Sequence, residues 1–379
     1  MRIPSRWLMA AYFLFLTLSA AAQCTLPGNP SAGTIDSSFD TFFKQNGPGW
    51  TGGDSAYSVL LPDGRNLWVW SDSYIGTVNS ATRLRKGYLF QAHNSLTIQD
   101  QVANTLTTVG YPTNKSSYFK PANQNHWFWV GDSMVYQPSA GVYKIAIFLL
   151  EFNKSFAFQG NSVATLSWPS LSVDSIVSVA LPDTTIDWGS KLFLDSDGYY
   201  YIYGLKDPGS NTKTPYLART TSVTYLTLPS QWQYWSATSN TWVSSQASAT
   251  PMSGLTAVTP EYTVNKLTAT SGPFYLMTTM DPLNPVYPNW KNVTTYYACS
   301  PQGPWSNKTT VYTAPEAGAK GCKTGNLVTY NAKAHPEFTG SGILMTYNVN
   351  ALVSSDLVCA NDYIPRWIRV SIPGVTPGQ

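Results

Sequence analysis

Short runs of apolar and aromatic residues alternate along the chain with clusters of Gly, Pro, Asn and Asp, and helical periodicity is hard to find. Leu67-Trp68-Val69-Trp70, Val142 to Leu150 and Tyr199 to Tyr203 are rich in β-branched and aromatic residues and are bounded by turn formers. Such segments read as strands joined by hairpins.

The segments share a frame when laid over one another. Each begins with an acidic residue, runs through a strand to a Gly turn, and returns to a polar residue. The leading acids are Asp54, Asp132, Asp187, Glu261 and Glu337, spaced 78, 55, 74 and 76 residues apart. The turn glycines are Gly64, Gly141, Gly198, Gly272 and Gly342, and the returning strands end at Asp72, Glu151, Lys206, Asp281 and Asn350. Only the fifth first strand is short, with Glu337 five residues from its glycine. Five such units predict an all-β, five-bladed β-propeller, with the innermost strands lining a central channel. A large sandwich of unrelated hairpins is the plainer alternative. In the propeller, the leading acids gather around one mouth of the channel.

The first 22 residues stand apart. Arg2 and Arg6 precede the apolar run Trp7 to Leu18, and Ala20-Ala21-Ala22 supplies small residues for cleavage. This is the order of a secretory signal peptide, and the run is too short to span a bilayer. The expected organisation is a signal peptide at 1–22 and one propeller domain at 23–379, placed outside the cell or in the periplasm. In an oxidising compartment four cysteines can pair. Three pairings are open; Cys299 with Cys322 would staple one local unit, and Cys24 with Cys359 would tie the two ends of the chain. Sequons occur at Asn114, Asn153, Asn292 and Asn307.

Composition narrows the function classes. Of 379 residues 43% are hydrophobic, 14% aromatic and only 11% charged, against disorder. A net charge of +3 without basic runs offers nucleic acid little. With three His, four Cys and no zinc-type spacing, no metal or other cofactor is expected, save a structural calcium held by channel acids. A monomer with a polysaccharide substrate fits this profile.

Carboxylates crowded in one funnel raise one another's pKa and suit acid–base chemistry. Hydrolysis of a glycosidic bond needs one carboxyl to protonate the leaving oxygen and another to activate water or attack carbon. Asp54 and Asp72, at the two ends of the first hairpin, should meet across it, and Gly52-Gly53 permits a close approach of backbone or ligand. They are the expected catalytic pair. Asp63 and Asp197, in Asp-Gly turns, are structural. Aromatic rings pack on the apolar faces of sugars. Most of the tryptophans are expected in the core, with Trp50 and Trp188, beside leading acids, assigned to the cleft. Asp132, Asp187, Glu261, Glu337, His335 and Arg219 complete the expected substrate-binding set; Lys206, His93 and His126 are weaker candidates.

Trp50-Thr51-Gly52-Gly53-Asp54, followed by Leu61-Pro62-Asp63-Gly64-Arg65-Asn66-Leu67-Trp68 and Trp70-Ser71-Asp72, resembles the opening of secreted propeller domains related to the bacterial endo-D-arabinanases. Tyr216-Leu217-Ala218-Arg219, Gly303-Pro304-Trp305-Ser306, Ala334-His335-Pro336-Glu337 and Thr346-Tyr347-Asn348-Val349-Asn350 resemble segments of five-bladed glycosidase propellers more generally. The resemblance implies a secreted glycoside hydrolase acting on an arabinan-like or other furanoside-containing glycan. It also implies that the two hairpin aspartates, Asp54 and Asp72, are the catalytic pair. Inversion is the expected stereochemical course. A carbohydrate-binding propeller without catalysis is the alternative, and a calcium-holding adhesive propeller a third.

Overall fold

Five antiparallel sheets follow one another along the chain in the computed structural model, which describes residues 24–378 apart from 87–91, 114–115, 210–212, 284–288 and 324. Blade 1 contains Tyr57–Leu60, Asn66–Trp70, Ser95–Asp100 and Thr105–Thr108. Blade 2 contains His126–Ser139, Val142–Asn153, Phe158–Ser167 and Val173–Ser178. Blade 3 has five strands, Ile186–Leu194, Tyr200–Lys206, Thr214–Thr220, Gln233–Ser236 and Thr241–Val243. Blade 4 is Thr263–Ala269, Gly272–Met280, Asn292–Ala298 and Ser306–Thr313. Blade 5 is Leu327–His335, Ile343–Ala351 and Pro365–Val370, closed by Thr34–Ile35 from the start of the chain.

Burial explains why these strands read as nearly continuous apolar runs. Both faces of a blade are covered by neighbours, so Asn66–Trp70 is buried at every position. The core divides into five clusters, one at each interface between successive blades. The cluster that closes the ring joins Phe43, Trp50, Trp68 and Trp70 to Phe338, Leu344 and Trp367. The other four lie between blades 1 and 2, 2 and 3, 3 and 4, and 4 and 5. All five turn glycines have positive φ, from 76° at Gly141 to 136° at Gly342, where a side chain would be strained.

Two expectations need correction. The disulfides are Cys24–Cys299 and Cys322–Cys359, with Cα–Cα distances of 5.7 and 6.3 Å, not Cys299–Cys322 and Cys24–Cys359. Before reaching blade 5, the N-terminal segment crosses blade 4, where Gly33 N donates to Val311 O, and this path carries Cys24 to the end of Asn292–Ala298. Cys322 instead faces the connection at 354–362 that follows the second strand of blade 5. The fifth unit is also misplaced. Its innermost strand is Leu327–His335, so Glu337 lies in the turn after that strand and enters the channel from the opposite end. The signal segment 1–22 and Asn114 lie outside the described residues. Among the described residues no helix is long and apolar enough to cross a membrane.

Candidate active site

The channel opens on one side into a cavity of about 620 Å³ lined by Asp54, Asp72, Asp187, Asp207 and Glu261, with Trp129, Phe152, Phe156, Trp290 and Tyr330 among its apolar walls. The inner strands of blades 2, 3 and 5 each carry a register break, at Val130/Ser133, Trp188/Lys191 and Tyr330/Lys333. Such bulges re-aim side chains and recur beside functional sites. They set Val130, Ser190 and Asn331 against the cavity.

Asp54 and Asp72 are joined through their backbones: Asp54 N donates to Asp72 O at 3.2 Å, and Ser71 N to Asp54 O at 3.1 Å. The turn after Asp54 carries Ser55 and Ala56 at φ 66° and 52°, a costly pair of left-handed residues. Gly52 is required by its surroundings, since a Cβ there would stand 2.2 Å from Arg85 Nη2 and 2.3 Å from Tyr363 O. Burial, then Asp72, then Glu261 push the Asp54 carboxyl well above the usual range, and bonds from Tyr330 and Tyr363 only partly offset this. Tyr330 OH donates to Asp54 Oδ2 at 2.9 Å, while Oδ1 is buried without a partner among the described residues. The opposite oxygen arrangement holds at Asp72, whose Oδ1 accepts from His93 Nδ1 at 2.8 Å and Trp129 Nε1 at 3.0 Å.

Asp187 reaches the same cavity from blade 3. Burial, with Asp207 adding repulsion and Lys213 opposing it, raises its pKa to about 7. Glu261, at φ 57°, accepts from Ser55 Oγ at 2.9 Å and from Lys333 Nζ at 2.7 Å.

The other expected site residues lie elsewhere. Asp132 is 1% exposed and sunk in the channel, held by Lys191 Nζ at 3.0 Å and Leu192 N at 2.9 Å. His335 and Glu337 meet there at Ser58, whose Oγ lies 2.6 Å from His335 Nδ1 and donates to Glu337 Oε1. Burial, reinforced by Lys333, keeps the His335 imidazole neutral, and burial raises the Glu337 carboxyl. Trp50 is not in the cleft: it packs 4.4 Å from Trp70 in the ring-closing core. Trp188 is likewise fully buried against Trp232 and Tyr234. Arg219 sits between Tyr199 and Trp242, 3.9 and 4.0 Å from their centroids, away from the cavity. Trp129, Trp290, Tyr330 and Asp207 take the places that sequence reasoning gave to others. Asp207 had a legible signal, directly following the strand end at Lys206; Tyr330 had none.

Two of the channel acids, Asp132 and Glu261, already hold ammonium groups, Lys191 and the buried Lys333, which supply balancing charge. Among the described residues the one His/Cys/Asp/Glu group compact enough to share an ion is Cys322, Cys359 and Asp362, and its two sulfurs are bonded to each other.

A family model described as a domain of unknown function, DUF5005, matches residues 36–372, all of the ring except the closing strand Thr34–Ile35. The chain belongs to the DUF5005 family. A search of curated proteins by sequence returns no match. Among solved structures, this DUF5005 member is similar to a candidate hydrolase from Bacteroides ovatus ATCC 8483, at 20% identity and a TM-score of 0.71, covering 89% of each chain. It is also similar to an exo-beta-1,3-galactanase from Phanerochaete chrysosporium (12% identity, TM-score 0.47, 89% of this chain and 64% of that one). An endo-arabinase from Bacteroides thetaiotaomicron VPI-5482 aligns at 10% identity and a TM-score of 0.44, over 86% of this chain and 94% of that one. The first of these likenesses shows a shared fold.

Proposed function

We propose that this DUF5005 propeller is an exported glycoside hydrolase that cleaves a polysaccharide in the cavity, with Asp54 and Asp72 as its acid–base pair. The observation that carries the proposal is the setting of Asp54: a carboxyl with one buried, unpartnered oxygen, pushed above the usual range by burial and by Asp72, beside that second carboxyl in a cavity with aromatic walls. A carboxyl that keeps its proton at neutral pH can deliver it to a leaving oxygen. Asp72, oriented by His93 and Trp129, is the group that activates water. The sequence resemblance supports an arabinan-like or other furanoside-containing substrate. Export is supported by the signal-like 1–22 segment and by the pairing of all four cysteines.

Release of reducing ends from a panel of arabinans, galactans and xylans tests the proposal. Asp54→Asn and Asp72→Asn should each retain the fold and lower turnover by roughly 10²–10⁴-fold. Product stereochemistry, read by NMR on the first turnover, should show inversion. Asp187→Asn decides where the proton comes from. If it costs as much as Asp54→Asn, the acid role passes to blade 3, and Asp54 and Asp72 become the water-activating pair. Sugar binding without hydrolysis by the unaltered protein would make it a lectin-like propeller instead.

A further inference from the structure

Blade 2 carries an exposed aromatic residue in a backbone conformation that disfavours it. Phe156 is 66% exposed and has φ 58° in the hairpin between Val142–Asn153 and Phe158–Ser167. Left-handed turn positions normally go to Gly or Asn, which meet no Cβ penalty or bond their own backbone. Here the turn is fixed from outside that residue. Asn153 Oδ1 accepts from Ser155 N and Ala157 N, and Asn153 O accepts from Phe156 N, so the chain imposes the strain and Phe156 bears it. Holding an apolar ring in water on a strained backbone lowers stability twice.

The position of the ring supplies the reason. Phe156 lines the mouth of the cavity, and its ring lies 6.1 Å from that of Trp129, the tryptophan that bonds Asp72. It also meets Trp127 edge-on at 5.2 Å, and Trp127 stacks on His93 at 4.8 Å. Trp127 and His93 also line a second depression of about 390 Å³, polar on much of its wall, just beyond the rim. Phe156 therefore stands on the ridge between the two hollows, with His93 touching both through Asp72 and Trp127.

We infer that Phe156 is the platform of an outer sugar-binding subsite on blade 2. A glycan with its scissile bond at Asp54 and Asp72 crosses the ring of Phe156 and continues into the depression at His93. This rests on the glycoside hydrolase proposal and adds to it the substrate class: a chain several sugars long, gripped outside the cavity, in place of a single terminal unit. An apolar sugar face on an exposed ring, with Lys120, Gln124 and His126 in the depression as hydroxyl partners, is the chemistry such a ridge offers.

The test uses the full chain carrying Asp54→Asn, so that ligands are not consumed. Titration calorimetry is run with α-1,5-arabinohexaose, β-1,4-xylohexaose and β-1,3-galactohexaose and with their disaccharides. For whichever hexasaccharide binds, Phe156→Gly and Phe156→Ala should weaken affinity about three- to tenfold, Phe156→Tyr should preserve it, and disaccharide affinity should not move. Phe156→Gly should also melt at or above the parent temperature, because the strain is relieved. Unchanged hexasaccharide affinity overturns the outer subsite alone. So does equal weakening for both lengths, which would place the ring inside the cavity's own subsite, or a lower melting temperature in Phe156→Gly, which would make the ring a packing element. If the parent binds no member of the panel, both this inference and the proposal beneath it fail.

Discussion

Asp54 and Asp132 lead the first two blades, yet their surroundings are opposite. Asp132 sits deep in the channel against the ammonium of Lys191 and a backbone amide. Asp54 has phenol donors and two other carboxylates as neighbours. The same division runs through the whole channel. Two of its acids are neutralised by lysine, Asp132 deep in the channel by Lys191 and Glu261 at the cavity wall by the buried Lys333, and these charges hold blades together. Asp54 and Asp187, in the same cavity, have carboxyls pushed above the usual range instead, Asp187 to about 7. A buried pair is a structural device and breaking it is costly, whereas an unpaired carboxyl with a raised pKa is a reagent.

The largest expected effect follows for the unpaired group. Asp54→Asn replaces a carboxyl whose charged form is disfavoured by burial and by Asp72 with an amide of nearly the same shape, so thermal stability should stay level or rise while turnover falls by roughly 10²–10⁴-fold. A matching fall in stability would place Asp54 with the lysine-paired acids and dissolve the contrast.

Next in size is the lysine-paired group. Lys333 is wholly buried, its ammonium 2.7 Å from Glu261 and 4.2 Å from the centroid of Tyr57. Lys333→Met should destabilise the fold by about 3 kcal/mol in urea denaturation, because it breaks the ion pair and leaves Glu261 without its partner. Adding Glu261→Gln should recover much of that loss. Destabilisation below about 1 kcal/mol in the single variant would show that the pair is dispensable.

These contrasts separate what the sequence carries from what it does not. The strand-turn-strand frame and its five glycines are local, and each glycine has the positive φ that its turn needs. The leading acids of blades 1, 3 and 4 line one cavity for the same reason, since the residue entering an innermost strand is fixed by the hairpin that follows. Blade 5 escaped because its innermost strand ends where the motif at Ala334 to Glu337 looked like a beginning; Asn331, at a bulge, holds the cavity position. Trp50 and Trp188 show a second limit. Nearness to an acid in sequence says nothing of direction: Trp188 points to the face opposite its neighbour Asp187, and a register break between Trp50 and Gly52 separates Trp50 from Asp54. The cystine partners depend on which connections meet around the ring, a property of closure that no local spacing encodes.

Asp187 offers a test by pH. An unfolded chain loses this proton near 3.8, but the fold retains it up to about 7. Between those values the folded state binds more protons, so this group's contribution to stability is full below 3.8 and is lost as pH rises through about 7. Asp187→Asn should remove that slope, so that parent and variant melting curves converge at the acid end and separate, in favour of the variant, towards neutrality. Parallel curves across the whole range would mean that Asp187 is not held protonated. The contrast between proton-bearing and lysine-paired acids would then rest on Asp54 alone.

The smallest effect is expected at Glu337, which has features of both groups. Its carboxyl is buried and raised in pKa like that of Asp54, yet it lies at the far end of the channel and bonds Ser58 beside the neutral His335. Burial is the first cause of its shift, with Ser58 and Lys191 opposing it, and no cavity-lining acid is among its partners. Glu337→Gln keeps the bond to Ser58 and removes only a titrating proton, so stability should change by less than about 1 kcal/mol and hydrolysis by less than about threefold. Turnover lost to the degree seen in Asp54→Asn, with the melting temperature unchanged, would extend the reactive region along the entire channel. The boundary between scaffold and reagent acids would then have to be drawn by lysine pairing alone.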